Sequence, residues 1–188
     1  MHLAHHFRFM AAYHKHSTLR LISAVQQNIS PHEYQHNFSL YFRSVHGTMA
    51  HLLGGDQIWF ERISGIPTPE LLDTIVPIYN LEPPDAIGLA WEQRSPDQAQ
   101  LFQDLVDICD DWETLLHDKD DAWCTGSVTY HDTAGLPTTL IRASGLSQVF
   151  NHGTHHRGQV SATFSKMGKD CPSFDLQSME EKFAEYKS

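Results

Sequence analysis

Cysteine is scarce in this sequence, and what there is does not pair. Cys109, Cys124 and Cys171 are odd in number, lie far apart and form no CxxC. A disulfide framework or a cysteine zinc knuckle is not expected, and a reducing cytoplasm fits best. Basic residues are also few: 13 against 23 acidic, for a formal net charge of −10. That balance argues against nucleic acid as a partner, because neutralising phosphates needs a basic face. No apolar run approaches the roughly 18 residues of a spanning helix, so no membrane partner is expected. The opening stretch, MHLAHHFRFMAAYHKH, is interrupted by His and basic residues too often for a signal h-region. Internal repeats and low-complexity segments are missing as well. The remaining chain of 188 residues, 40% hydrophobic, suits one domain over 1–188 with a sizeable core.

Histidine is the abundant residue, 14 of 188. Random placement at that frequency gives about one i, i+4 pair. The chain has three: His2/His6, His32/His36 and His152/His156. Spacing alone does not choose among them; context does. The stretch 147–168, SQVFNHGTHHRGQVSATFSKMG, reads as one helix. Residues four apart on it sit one turn above each other, so His152 and His156 can converge on one ion. Val149, Val160, Thr163 and Met167 fall within roughly 60° of His152 on the wheel. That face points into a bundle, which predicts a metal site buried between helices.

The remaining periodicity supplies the bundle. A first helix is expected over 3–28, then a short turn capped by Ser30-Pro31-His32-Glu33. A second helix runs over 39–64 with Val45, Met49, Leu52, Trp59 and Ile63 as its apolar stripe. Residues 65–97 read as a long irregular crossover holding six of the nine prolines. Its patch Ile75-Val76-Pro77-Ile78-Tyr79 packs it on the body, where it can roof the site. A third helix spans 97–118, and 127–130 with 138–141 read as a small β-hairpin. The fourth helix covers 144–168, and a short terminal helix is expected over 176–186. The fold class is all-α: a four-helix bundle with a long crossover between helices two and three and a hairpin between three and four.

Two His on the fourth helix need a third ligand from elsewhere. His51 is the best candidate, mid-helix on a face with Gly47, Thr48, Gly55, Ile58 and Arg62; His46 is second. Gly54-Gly55 costs roughly 1 kcal/mol per Gly against Ala inside a helix. Either something approaches closely there or two helices pack tightly. Gln159 falls within about 20° of His152 and could hydrogen-bond a ligand or its support. Arg157 projects elsewhere and reads as a bundle-stabilising salt bridge. His2, His5, His6, His14 and His16 read as surface or bundle-edge residues, Cys109 as inert core, and Trp59, Phe60 and Trp112 as core aromatics.

Asn151-His152-Gly153-Thr154-His155-His156-Arg157-Gly158-Gln159 resembles the signature of the DinB superfamily, NHxxHHRGQ. The segment HGTMAHLLGGDQIWFERISG, His46 to Gly65, is similar to that family's second helix, with its inward His and a Trp eight residues later. Tyr13 with Leu21 resembles the first-helix pattern, although the family often has Trp and Asn where this chain has His16 and Thr18. Pro172-Ser173-Phe174-Asp175-Leu176 also fits. The resemblance implies an up-down-down-up bundle, frequent homodimers, and a divalent metal held by His51, His152 and His156. His155 belongs to the motif but points about 60° away on the wheel, so it is left off the ion. Some members transfer or isomerise substrates with low-molecular-weight thiols.

Three neutral imidazoles leave an ion its full charge and an open position, as in catalytic sites. Imidazole suits several divalent metals, with Zn or Ni foremost and Fe, Mn or Cu also admitted. The leading expectation is a metal-dependent enzyme, a thiol-dependent transferase or hydrolase acting on a small-molecule substrate. No nucleophile, acid or base can be named from the sequence. The alternative is a non-catalytic metal- or ligand-binding stress-response protein, with a saturated ion and no adjoining cavity. A purely structural interaction module would hold no metal. Affinity for the metal is expected to fall below the ordinary His pKa of about 6.5, where protons compete.

Overall fold

The computed structural model describes residues 2–66, 71–81, 84–177 and 179. Helix α1 spans Leu3–Asn28, as the periodicity predicts. Ser30 and Glu33 form a reciprocal capping box: the Glu33 N–H donates to Ser30 Oγ (3.3 Å) and the Ser30 N–H to Glu33 Oε2 (2.8 Å). This starts the short helix α2, Pro31–Gln35, with Pro at its first position.

Helix α3 spans Val45–Ser64 and so begins later than the apolar pattern suggests. Ser39 (φ 58°) and Arg43 (φ 68°) adopt the left-handed conformation, which residues with a Cβ seldom accept. Arg43 is held there by Glu92 at 2.8 Å, and Ser44 Oγ accepts from the Gly47 N–H at 3.0 Å to cap α3. The resulting turn buries Phe42. Burial and capping outweigh helix propensity over these six residues.

The crossover is not irregular, contrary to expectation. It forms α4, Leu71–Tyr79, and α5, Pro84–Arg94. Leu71, Ile75 and Ile78 bury one helical face, and Ile87 and Trp91 another. Pro84 is compatible with helix because it takes the first position, whereas Pro77 lies inside α4, which tolerates the loss of the one N–H that proline lacks. Pro67, Pro69 and Pro83 lie outside the described residues.

Helix α6, Gln98–Leu116, is capped by Asp97, whose Oδ1 accepts from the Gln100 N–H at 2.9 Å. A short helix α7, Asp121–Thr125, follows and was not foreseen. Strands β1, Ser127–His131, and β2, Pro137–Ile141, pair antiparallel with Val128 opposite Leu140, the expected hairpin. Helix α8, Arg142–Lys166, carries the HxxxH pair. The expected terminal helix over 176–186 lies largely outside the described residues.

The protein is mostly helical with one small sheet. Helix α1 packs against α6 and α8, and α3 packs against the same two. Their ends are tied in a consistent pattern. Arg8 donates to the Lys119 carbonyl just beyond α6, and Lys169 Nζ to the Asn28 carbonyl. Leu21, Met49, Leu53, Leu105, Trp112 and Val149 meet in one apolar core. No helix among the described residues is long and apolar enough to cross a membrane.

The crossover helix α5 is seated on α3 through Gly54. A Cβ there would stand 2.4 Å from Trp91 Cζ3, and Trp91 is fully buried. Gly54→Ala is therefore expected to lower the urea midpoint. Overpacking costs about 1–3 kcal/mol, against a helix-propensity gain of about 1 kcal/mol. A midpoint at or above the parent's would contradict this packing.

Candidate metal centre

Three histidines predicted from sequence meet in the bundle. His152 and His156 stand one turn apart on α8, with Nε2 atoms 2.9 Å from each other. His51, from the middle of α3, brings its Nε2 to 3.0 Å from His152 Nε2. One nitrogen from each ring falls within 4.8 Å of the others. Ligand nitrogens at about 2.0–2.1 Å from a tetrahedral ion lie about 3.3 Å apart, so the grouping is of the right size for one ion to take all three. Only His152 is appreciably exposed; His51 and His156 are buried.

Close approach of α3 and α8 makes this possible, and it answers the question raised by Gly54-Gly55. A Cβ at Gly55 would lie 2.5 Å from His152 Cε1. The glycine pair thus serves two contacts at once, Trp91 on one side and the His152 ring on the other.

Aromatic rings enclose the cluster. Phe42 stacks on His51 with centroids 3.8 Å apart, and Trp91 meets it edge-on at 5.0 Å. Tyr79 of α4 reaches the same ring at 6.1 Å, so the crossover does roof the site. Phe42 escaped sequence reading because its segment looked helical. Trp59 is another departure: with Arg62, Tyr79, Thr133 and Gly55 it lines a cavity of about 280 Å³ that opens onto His152. Phe60 and Trp112, by contrast, pack edge to face at 5.1 Å, as expected of core residues.

Hydrogen bonding fixes the tautomer of one candidate ligand. His156 Nδ1 donates to Gln159 Oε1 at 2.7 Å, which leaves the Nε2 lone pair facing the cluster. His46 is out of reach: its Nε2 donates to the Ser95 carbonyl at 2.7 Å and its ring stacks on Tyr34. His155 is exposed.

His14 and Arg157 lie elsewhere than expected. His14 is fully buried rather than at a bundle edge, with Nε2 2.9 Å from Asp56 Oδ2. Arg157, also buried, makes no ion pair among the described residues; it donates to His14 Nδ1 at 3.0 Å and lies over the Tyr13 ring. A guanidinium can only donate, so His14 Nδ1 accepts and its proton sits on Nε2, facing Asp56. Asp56 was missed altogether. The available signal was a lone carboxylate directly after the apolar run Leu52-Leu53-Gly54-Gly55, where burial demands a partner.

Electrostatics favour neutral rings. Burial, reinforced by the neighbouring imidazoles, pushes His51 down to about 2 and His156 to about 4. His152 is lowered mainly by burial, opposed by Asp56. Proton competition with a metal therefore begins at more acidic pH than the ordinary His value suggests.

A family model described as DinB family matches residues 7–185. The chain belongs to the DinB family. No curated protein and no solved structure matches it. The segments that carried the family resemblance, on α3 and α8, are the two that supply the clustered imidazoles of this DinB protein.

Two outcomes follow. In the metal-free protein the unfolded chain takes up protons below about 6.5 while His156 resists until about 4, so stability is full above 6.5 and falls across that window. Thermal midpoints measured from pH 7 to 4 should decline, less steeply in His156→Gln; equal slopes would refute the assignment. Gln159→Leu, which leaves His156 Nδ1 without its acceptor, should weaken binding of added Zn²⁺ about 10–100-fold by calorimetry.

Proposed function

We propose that this DinB protein is a divalent-metal-dependent enzyme whose ion is held by His51, His152 and His156. Its reaction class is thiol-dependent transfer or hydrolysis of a small-molecule substrate, with Zn or Ni the leading metals. The observation that carries this reading is the convergence of three Nε2 atoms from α3 and α8. Burial lowers all three pKa values and so favours the neutral rings that a metal needs, and the contacts between helix ends support an up-down-down-up course for α1, α3, α6 and α8.

When bound, such an ion lowers the pKa of a coordinated water to about 7 or holds a thiol as thiolate. The chain's own groups do the positioning. Gln159 orients the His156 ring, while Phe42 and Trp91 shield His51 from water. The cavity beside His152 gives a small molecule access from the side of Tyr79 and Thr133.

Two features favour catalysis over a metal sink. Among the described residues no fourth His, Cys, Asp or Glu joins the cluster, which leaves a coordination place for substrate. The adjoining cavity is the second.

Elemental analysis of tag-free protein should find one divalent metal per chain, lost in His51→Ala. The metal-loaded parent should then turn over members of a panel of low-molecular-weight thiols and electrophilic substrates. Stoichiometric metal without turnover would favour the sink, and no stoichiometric metal would remove both readings.

A further inference from the structure

We propose that Arg62 sets substrate choice: the molecule that enters beside His152 carries an anionic group, a carboxylate or similar oxyanion, that pairs with its guanidinium. The inference rests on the metal-centre reading above and names the chemistry of its substrate.

Arg62 lies in the last turn of α3, three turns beyond His51, and lines the same cavity as His152. Its faces are occupied. The guanidinium carbon sits 4.5 Å from the Tyr130 ring centroid and 5.1 Å from that of Trp59. Stacking uses the faces of a guanidinium and leaves the N–H donors, which lie in its plane. No acceptor among the described residues takes them, and Nε is buried without a partner. Glu61 and Asp132 are near enough to act on it electrostatically, yet neither carboxylate forms an ion pair with it. Arg43 is tied to Glu92 and Arg94 to Gln57; Arg142, stacked on Trp123, also has an unpartnered Nε, but Arg62 is the arginine that lines the cavity beside His152.

A cation at a helix C-terminus is favourable by itself, because it complements the helix dipole. That role needs no cavity and no desolvation. Here burial works against the charge, so an anion that supplied hydrogen bonds would restore what burial removed. The setting also makes the residue selective. With a formal net charge of −10 the protein at large repels anions, and a local guanidinium is what admits one. Tyr79 and Thr133 add hydroxyls to the same wall, and Trp59 and Ile58 an apolar one. The cavity thus fits a compact molecule, with a donor to the ion at one end and an oxyanion at the other.

The full-length chain loaded with Co²⁺ provides the test, because thiolate binding gives a charge-transfer band. 3-Mercaptopropionate should bind about tenfold or more tightly than 3-mercapto-1-propanol, a neutral thiol of the same length. Arg62→Gln should abolish that preference and Arg62→Lys retain part of it, with circular dichroism checking that both fold. Equal affinities in the parent, or an undiminished preference in Arg62→Gln, would overturn the proposal. A missing band with either thiol would instead count against the metal-centre reading. The metal-free protein then still decides on Arg62: its Nε–Hε nuclear magnetic resonance signal, assigned by its loss in Arg62→Lys, should shift on adding propionate. An unmoved signal would overturn the proposal there too.

Discussion

The approach of α3 to α8 at Gly55 governs the rest of the structure. With a β-carbon 2.5 Å from the His152 ring, the two helices could not lie at this separation unless something shifted. Three imidazole nitrogens gather because two backbones come close, and the rings fill the space between them. The same pair of glycines seats Trp91 on the opposite side, so the crossover is anchored to the helix that bears His51. Site and roof therefore share one backbone constraint. A change at that point reaches both.

Beneath the histidine cluster runs a second buried chain, Arg157 to His14 to Asp56. It joins α8, α1 and α3, which are three of the four long helices. Each of its groups would be costly to bury alone. Together they place a guanidinium and a carboxylate at opposite ends of one neutral imidazole, in an order dictated by which atoms can donate. His14 and Asp56 belong to one hydrogen-bonded unit, and Asp56 also acts on His152 and His156 in the sense opposite to burial. The charge balance felt by the candidate ligands thus comes from the imidazoles themselves and, in the opposite sense, from Asp56 beneath them.

Charge is distributed unevenly for a reason. Most acidic side chains of this chain meet water, while the clustered imidazoles sit among Phe42, Trp91 and Tyr79, where a proton is hard to keep. Rings that stay neutral present lone pairs. Arg62, without an acceptor among the described residues, does the converse on the cavity wall, presenting donors where the neighbouring surface repels anions. The histidine-facing and arginine-facing ends of the cavity therefore differ in the kind of group each would receive.

Local pattern was enough for much of this. Helical periodicity, the Ser30 capping box and the turn residues of the hairpin act over a few positions, so the long helices and the sheet were legible in the chain. His152 and His156 were legible because their spacing and inward face are properties of one helix. The crossover was misread because its prolines were weighed as breakers without the apolar faces of Leu71, Ile75, Ile78 and Trp91. His14, Asp56, Arg157 and Phe42 were misplaced or missed for another reason: each is defined by a partner at least nine residues away, and mostly more than forty. Only tertiary packing decides which polar groups meet once helices are brought together, because burial forces pairing among whichever donors and acceptors the fold encloses. The residue types came from the sequence, and their partnerships from the fold.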